Sequence, residues 1–247
     1  MFKNENGTII EHERVIFPLI FNDLAKEDFN CIGTAFFVNA LGWFITAKHV
    51  LYNNKGDIFK TVYGVQTLSN GKQVARAIKQ LSIHPFADIA LGTLSDDAYD
   101  GNAKPIIHEL APTLELSLAM LSIQDEISSF NFPKSKKTYE EHLVHFNFTG
   151  LWTIGKIEDY LPEGSPLVRN ACYQTSMHID TGASGGPVFK GDQVVGVNSS
   201  GYELATGESP LSFITPIDFI LDLNLEDDNG LLVSMNTLVK KNFIKFR

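Results

Sequence analysis

The sequence predicts an all-β fold, and three observations carry that expectation. Its apolar residues come in short runs rich in Val, Ile, Phe and Thr, at residues 31–39, 43–47, 58–66, 72–83 and 87–94, the length and composition of strands. Turn-forming clusters interrupt them, Tyr52-Asn53-Asn54-Lys55-Gly56-Asp57 being the clearest. With 247 residues, 44% of them apolar, the chain has enough material for a sizeable core.

Taken in order, residues 1–13 read as a polar arm, and Arg14 to Phe21 as the first strand. The five runs above follow as further strands. Residues 95 to about 122 mix Asp, Gly, Pro and Asn clusters and suit a connection rather than a strand. Lys134-Ser135-Lys136-Lys137 reads as a solvated basic loop. Residues 216–223 suit a short helix, and the stretch from Leu231 to Arg247 has the apolar spacing of a packed terminal helix.

Composition narrows the function. A formal charge of −9 and an isoelectric point near 5.2 argue against a nucleic-acid surface, which needs clustered Lys and Arg, and against attraction to anionic lipid. No apolar run reaches membrane-spanning length. Cys31 and Cys172 are too few and too separate for a disulfide framework and read as buried free thiols. Met1 to Gly7 shows no apolar segment of the kind that begins a secretory signal, so the expected location is the cytoplasm. Glu141-His142-Leu143-Val144-His145 lacks the spacing of a zinc helix, and no phosphate-binding Gly-rich loop is present, so neither a metal nor any other cofactor is expected.

The chemistry is concentrated in three places. Gly182-Ala183-Ser184-Gly185-Gly186-Pro187 sets one serine among glycines directly before an apolar strand. Such a turn can aim backbone N–H groups at one point, as a developing oxyanion requires. Thr46-Ala47-Lys48-His49-Val50 follows an apolar run, and His84-Pro85-Phe86-Ala87-Asp88 stands at the head of another. Singly, these read equally well as a core histidine, a capping acid and a turn serine. Together they offer a nucleophile, a base and an orienting acid in the order His, Asp, Ser.

With these motifs the chain resembles the trypsin-like (chymotrypsin-fold) serine proteases, nearest to the bacterial HtrA-type branch without PDZ domains. Gly33-Thr34-Ala35-Phe36-Phe37-Val38 resembles the strand before the histidine, Thr153-Ile154-Gly155-Lys156-Ile157 a strand of the second barrel, and Phe213-Ile214-Thr215-Pro216-Ile217 the closing segment. The resemblance covers roughly residues 15 to 222. It implies two six-stranded antiparallel barrels and a C-terminal helix. Residues 1–122 would form the first barrel and the connection, and 123–247 the second barrel and tail, together one peptidase domain. It further implies a serine endopeptidase with His49, Asp88 and Ser184 as the triad. The N–H groups of Gly182 and Ser184 would line the oxyanion hole. Asn198, Ser199, Ser200 and Gly201 would form the strand that pairs with an extended protein or peptide substrate, and His178 would stand near the base of the specificity pocket.

One departure matters. Ala183 stands where activated relatives carry an aspartate that pairs with a new N-terminus, so Arg14-Val15-Ile16 is not expected to be an activation site. A regulated processing protease with a partner protein is one expectation. A catalytically idle protease-fold binding module is the alternative.

Overall fold

The computed structural model describes residues 2–3, 9–23, 28–99, 105–106, 112–140, 143–202, 211–226, 230–241 and 243–246. Its architecture is two closed, six-stranded antiparallel barrels. The first is built from β1 (Ile16–Asp23), β2 (Asp28–Phe37), β3 (Trp43–Thr46), β4 (Val62–Thr67), β5 (Gln73–Ile83) and β6 (Ala90–Leu94). The long β5 closes it: the strand pairs with β4 along its first half and, past a bulge between Ile78 and Gln80, with β6 along its second.

Aromatic rings meet inside this barrel among aliphatic side chains such as Leu19 and Leu94. Phe17, Phe36, Phe37 and Phe44 are fully buried, and the Phe17 ring lies 4.4 Å from Phe37 and 5.8 Å from Phe44, centroid to centroid. One charge is enclosed with them. Arg76 donates from Nε to the Ser95 carbonyl at 2.8 Å and from Nη1 to Gln66 Oε1 at 3.0 Å. Burial pulls its pKa down to about 10, so it remains a cation at neutral pH.

The second barrel comprises β7 (Glu126–Asn131), β8 (Leu151–Leu161), β9 (Cys172–Thr175), β10 (Pro187–Lys190), β11 (Gln193–Tyr202) and β12 (Leu211–Pro216), in the ring order β7-β8-β9-β12-β11-β10. Ile127, Ile157, Val188, Val195 and Ile214 fill one part of it. Polar residues are buried in and around it as well: Ser129, Asn131, Asn198, Ser199, Ser212 and Thr215.

Several local expectations shift. The chain makes a short helix at His12–Val15 before the first strand, which therefore begins at Ile16. The predicted helix at 216–223 is a 3-10 helix, Ile217–Asp222. In the tail, only Met235–Lys240 is helical, started by Ser234, whose hydroxyl accepts from the Thr237 N–H at 3.2 Å. Leu232–Ser234 instead pairs with Asn224–Glu226, which takes those residues out of the helix. Met235, Leu238 and Ile244 join the first barrel's core.

Lys136 and Lys137 are not in a solvated loop. They begin a hairpin, Lys136–Glu140 with Leu143–Asn147, and Lys137 Nζ bonds both Asp28 carboxylate oxygens at 2.7 and 2.8 Å. Bonds from Lys137 and then Tyr139 hold the Asp28 carboxyl below its ordinary range. Cys31 and Cys172 are free thiols, the first half-buried in β2 and the second buried in β9. Among the described residues, no helix is long and apolar enough to cross a membrane.

Candidate active site

His49 lies on the 3-10 turn Lys48–Leu51, which caps β3. Asp88 lies on the loop between β5 and β6. Side chains bonding to backbone stitch these two segments together. Lys48 Nζ donates to the carbonyls of His84 (2.9 Å) and Pro85 (3.1 Å). The buried His84 ring accepts at Nδ1 from the Phe86 N–H (3.2 Å) and the Ala87 N–H (2.7 Å). This explains the His84-Pro85-Phe86-Ala87-Asp88 motif: its histidine folds the loop that delivers the acid.

The acid meets His49 directly. His49 Nδ1 lies 2.8 Å from Asp88 Oδ2 and 3.1 Å from Oδ1, and the His49 backbone N–H donates to Oδ1 at 2.9 Å. A carboxylate can only accept, so Nδ1 carries the proton and the Nε2 lone pair is left free. Burial pushes the Asp88 pKa up, but hydrogen bonds from His49, its charge and a bond from the Ser199 hydroxyl outweigh that and hold it below the usual range.

Ser184 belongs to the tight turn between β9 and β10. Gly182 has φ +91°, a conformation costly for any residue with a Cβ. The turn is pinned from several sides. The Ala183 N–H donates to the Asp180 carbonyl (2.9 Å), Gly185 N–H to Asn198 (2.8 Å) and Gly186 N–H to Ala183 (3.0 Å). The Thr34 hydroxyl donates to the Gly182 carbonyl at 2.8 Å. Among the described residues, the N–H groups of Gly182 and Ser184 have no intramolecular acceptor, so the turn leaves these two donors unspent. The Ser184 hydroxyl donates to the Ser199 carbonyl at 3.4 Å and makes no bond to the imidazole. Ala183 packs into the apolar core of the second barrel beside Met177, Ile179 and Val188.

The remaining predicted residues separate into two groups. Ser199, Ser200 and Gly201 extend along β11 beyond Val197, the last of its residues to pair with the end of β10, and keep β12 on the other side. That leaves one edge of this stretch open to an added strand. Asn198 does not belong with them. It is fully buried, and its amide donates to Ser129 Oγ at 2.8 Å and the Ala183 carbonyl at 3.3 Å. Its backbone is spent too, the N–H on the Gly186 carbonyl and the carbonyl on the Gly185 N–H, so it braces the serine turn and leaves no edge for a substrate. His178 Nε2 lies 2.5 Å from Asp180 Oδ1. Next to it, the Ile179 carbonyl closes against Gly201 so tightly that a Cβ there would collide.

A cavity of about 540 Å³ opens beside His49, lined by Lys48, Tyr52, Phe86, Leu167, Arg169, Asn170, Ser199 and Ser200. Three contributors escape a sequence reading: Thr34, Asn170 and Thr215 are ordinary polar residues, and only their partners, far away in sequence, give them a role. Among the described residues, no cluster of His, Cys, Asp and Glu could hold a metal ion; Glu141 and His142 lie outside those residues.

The fold and sequence have clear counterparts. The structure resembles that of Deg5 (TM-score 0.56, 18% identity, covering 84% of this chain and 85% of that one). It also resembles the active form of the Rv3671c protease from M. tuberculosis (TM-score 0.55, 17% identity, 84% and 78%). The HtrA-type protease AlgW with a tripeptide superimposes similarly (TM-score 0.56, 18% identity), covering 83% of this chain but 57% of the other. No curated protein sequence matches the chain. The trypsin family matches residues 24–223. The chain therefore belongs to the trypsin family, the trypsin-like serine endopeptidases.

Proposed function

We propose that the chain cleaves peptide bonds through an acyl-enzyme on Ser184. In this reading His49 Nε2 takes the Ser184 proton as the hydroxyl attacks the substrate carbonyl, and returns it to the departing amine. Asp88 holds the ring in the required tautomer and stabilises the imidazolium. The Gly182 and Ser184 N–H groups receive the oxyanion, where each donor lowers the barrier by about 3–4 kcal/mol. The observation that carries the reading is the 2.8 Å bond from His49 Nδ1 to Asp88, which leaves Nε2 as a base. In this reading the Ser184 hydroxyl turns from the Ser199 carbonyl toward Nε2 for the attack.

Substrates in this proposal are extended protein segments lying along Ser199–Gly201. The close approach of Ile179 to Gly201 favours small side chains next to the cleaved bond. The physiological role we propose is regulated processing of a partner protein in the cytoplasm. The two unpaired cysteines support that location: burial raises the thiol pKa of both, that of Cys172 to about 11, which keeps them unreactive. Indiscriminate digestion of casein would count against narrow processing.

The Ser184 hydroxyl resting on Ser199 instead of the imidazole favours one alternative, an idle protease-shaped binding module. Intact-mass labelling with a fluorophosphonate separates the two. One adduct on the wild type and none on Ser184→Ala is the expected result; no adduct on either leaves the binding module.

A further inference from the structure

The proposed chemistry leaves unused a buried amide beside the acid. Asn170 is 7% exposed and lies on the segment leading into β9 of the second barrel, whereas Asp88 comes from the first. Asn170 Oδ1 accepts from the Asp88 backbone N–H at 3.0 Å, and Nδ2 donates to Thr215 Oγ1 at 3.2 Å and to the Ala171 carbonyl at 2.8 Å. Thr215 Oγ1 is 2.6 Å from Ser199 Oγ, a contact in which either hydroxyl can donate, and the Ser199 hydroxyl is among the groups that hold the Asp88 carboxyl below its ordinary range. A carboxylate only accepts, so in a closed ring Ser199 donates to Asp88, Thr215 to Ser199, Asn170 to Thr215, and the Asp88 N–H to Asn170.

We propose that Asn170 is a positioning residue, which through this ring fixes both the backbone and the carboxylate of Asp88 against His49. The inference rests on the reading of Asp88 as the orienting partner of the base. An amide suits the role because it offers an acceptor to Asp88 and a donor to Thr215 at once, and aspartate, leucine or alanine cannot do both. His49 and Asp88 are carried by loops of the first barrel. Asn170 ties the acid to the second, which carries Ser184 and Ser199. The ring thus registers the two halves of the site. Besides Asp88, the ionisable groups lining the cavity around the imidazole are Lys48, Tyr52 and Arg169, and Lys48 is already tied to two carbonyls.

The test compares wild type with Asn170→Ala, Asn170→Asp and Thr215→Val, using steady-state kinetics on a peptide across pH. The low-field His49 Nδ1 proton resonance is followed in a Ser184→Ala background. Asn170→Ala is expected to lower kcat about 10- to 100-fold with KM nearly unchanged, the size of effect that misplaced catalytic groups produce. Its acid limb moves to lower pH, because a displaced carboxylate stabilises the protonated ring less, and the resonance weakens. Asn170→Asp keeps an acceptor for the Asp88 N–H but loses the donor to Thr215, and recovers only part of kcat. Its added negative charge moves the acid limb the opposite way. Thr215→Val, close in shape, falls between and covers the case in which Asn170→Ala folds poorly. A folded Asn170→Ala with unchanged kcat and pH limb overturns the proposal, as does a loss of kcat that tracks the unfolded fraction while the resonance is unchanged. If the wild type neither turns over nor labels, the peptidase reading fails. The resonance still decides this inference, an unchanged signal in Asn170→Ala counting against it.

Discussion

The two barrels share a strand count and a closed topology but not an interior. The first is apolar, centred on the fully buried rings of Phe17, Phe37 and Phe44. The second, at the end nearest the candidate site, holds hydroxyls and amides, Ser129, Asn131 and Asn198, while buried Ser199 and Thr215 face the first barrel. The difference follows from how each delivers its functional groups. His49 and Asp88 stand on loops that are stitched outside the barrel by Lys48 and His84. Ser184 stands on a turn held from inside the second barrel by Asn198 and, through Asn198, Ser129, and held across the junction by Thr34 of β2. The comparison teaches that stability is concentrated in the first interior and geometry in the second.

The largest expected effect tests the first half of that statement. Phe17→Ala removes a ring that touches two others and should cost about 3–5 kcal/mol by urea unfolding. The fraction that stays folded should keep the wild-type kcat. A fall in kcat per folded molecule would mean that the aromatic interior also sets the site.

Asn198→Ala tests the second half. It removes the bonds to Ser129 and to the Ala183 carbonyl and should cost about 1–3 kcal/mol of stability, less than Phe17→Ala. Turnover should fall at least about tenfold, because the turn that aims the Ser184 N–H loses its brace. Ordinary activity in a folded Asn198→Ala protein would break the comparison.

This division explains what the sequence made legible. The glycines around Ser184, the histidine after an apolar run and the acid before one are local patterns, and the chain presents them in consecutive residues. The barrels followed from strand-length apolar runs and the family resemblance. The braces were not legible. Thr34 meets Gly182 across 148 residues, and Asn170 meets Asp88 across 82. Nothing within a few residues of a threonine or an asparagine records such a partner. Asn198 shows the opposite error: its place beside Ser199 suggested contact with substrate, but strand alternation turns it into the barrel, where it is fully buried. In the tail, apolar spacing suited a helix through Leu231, while pairing with Asn224–Glu226 drew Leu232–Ser234 into a hairpin.

The smallest effect distinguishes the barrels by pH. Asp88 in the first barrel's loop and Asp125 at the edge of the second both have carboxyl pKa values below the ordinary range, Asp125 through its bond from Lys190 at 2.6 Å. A depressed carboxylate contributes stability that is present above its unfolded pKa, about 3.9, and is lost as pH falls through the lower folded value. The urea midpoint should therefore stay level from neutral pH to about 5 and decline below about 4. Asp88→Asn should make that decline shallower, since Asp88 is enclosed by His49 and Ser199 and its ionisation is sensed by the whole fold. Asp125→Asn should change it little, because an exposed pair with Lys190 is screened by water and is worth less than about 1 kcal/mol. Equal flattening by the two substitutions would place as much electrostatic stability at the rim of the second barrel as at the junction between them, and the ring through Asn170 would then hold geometry alone.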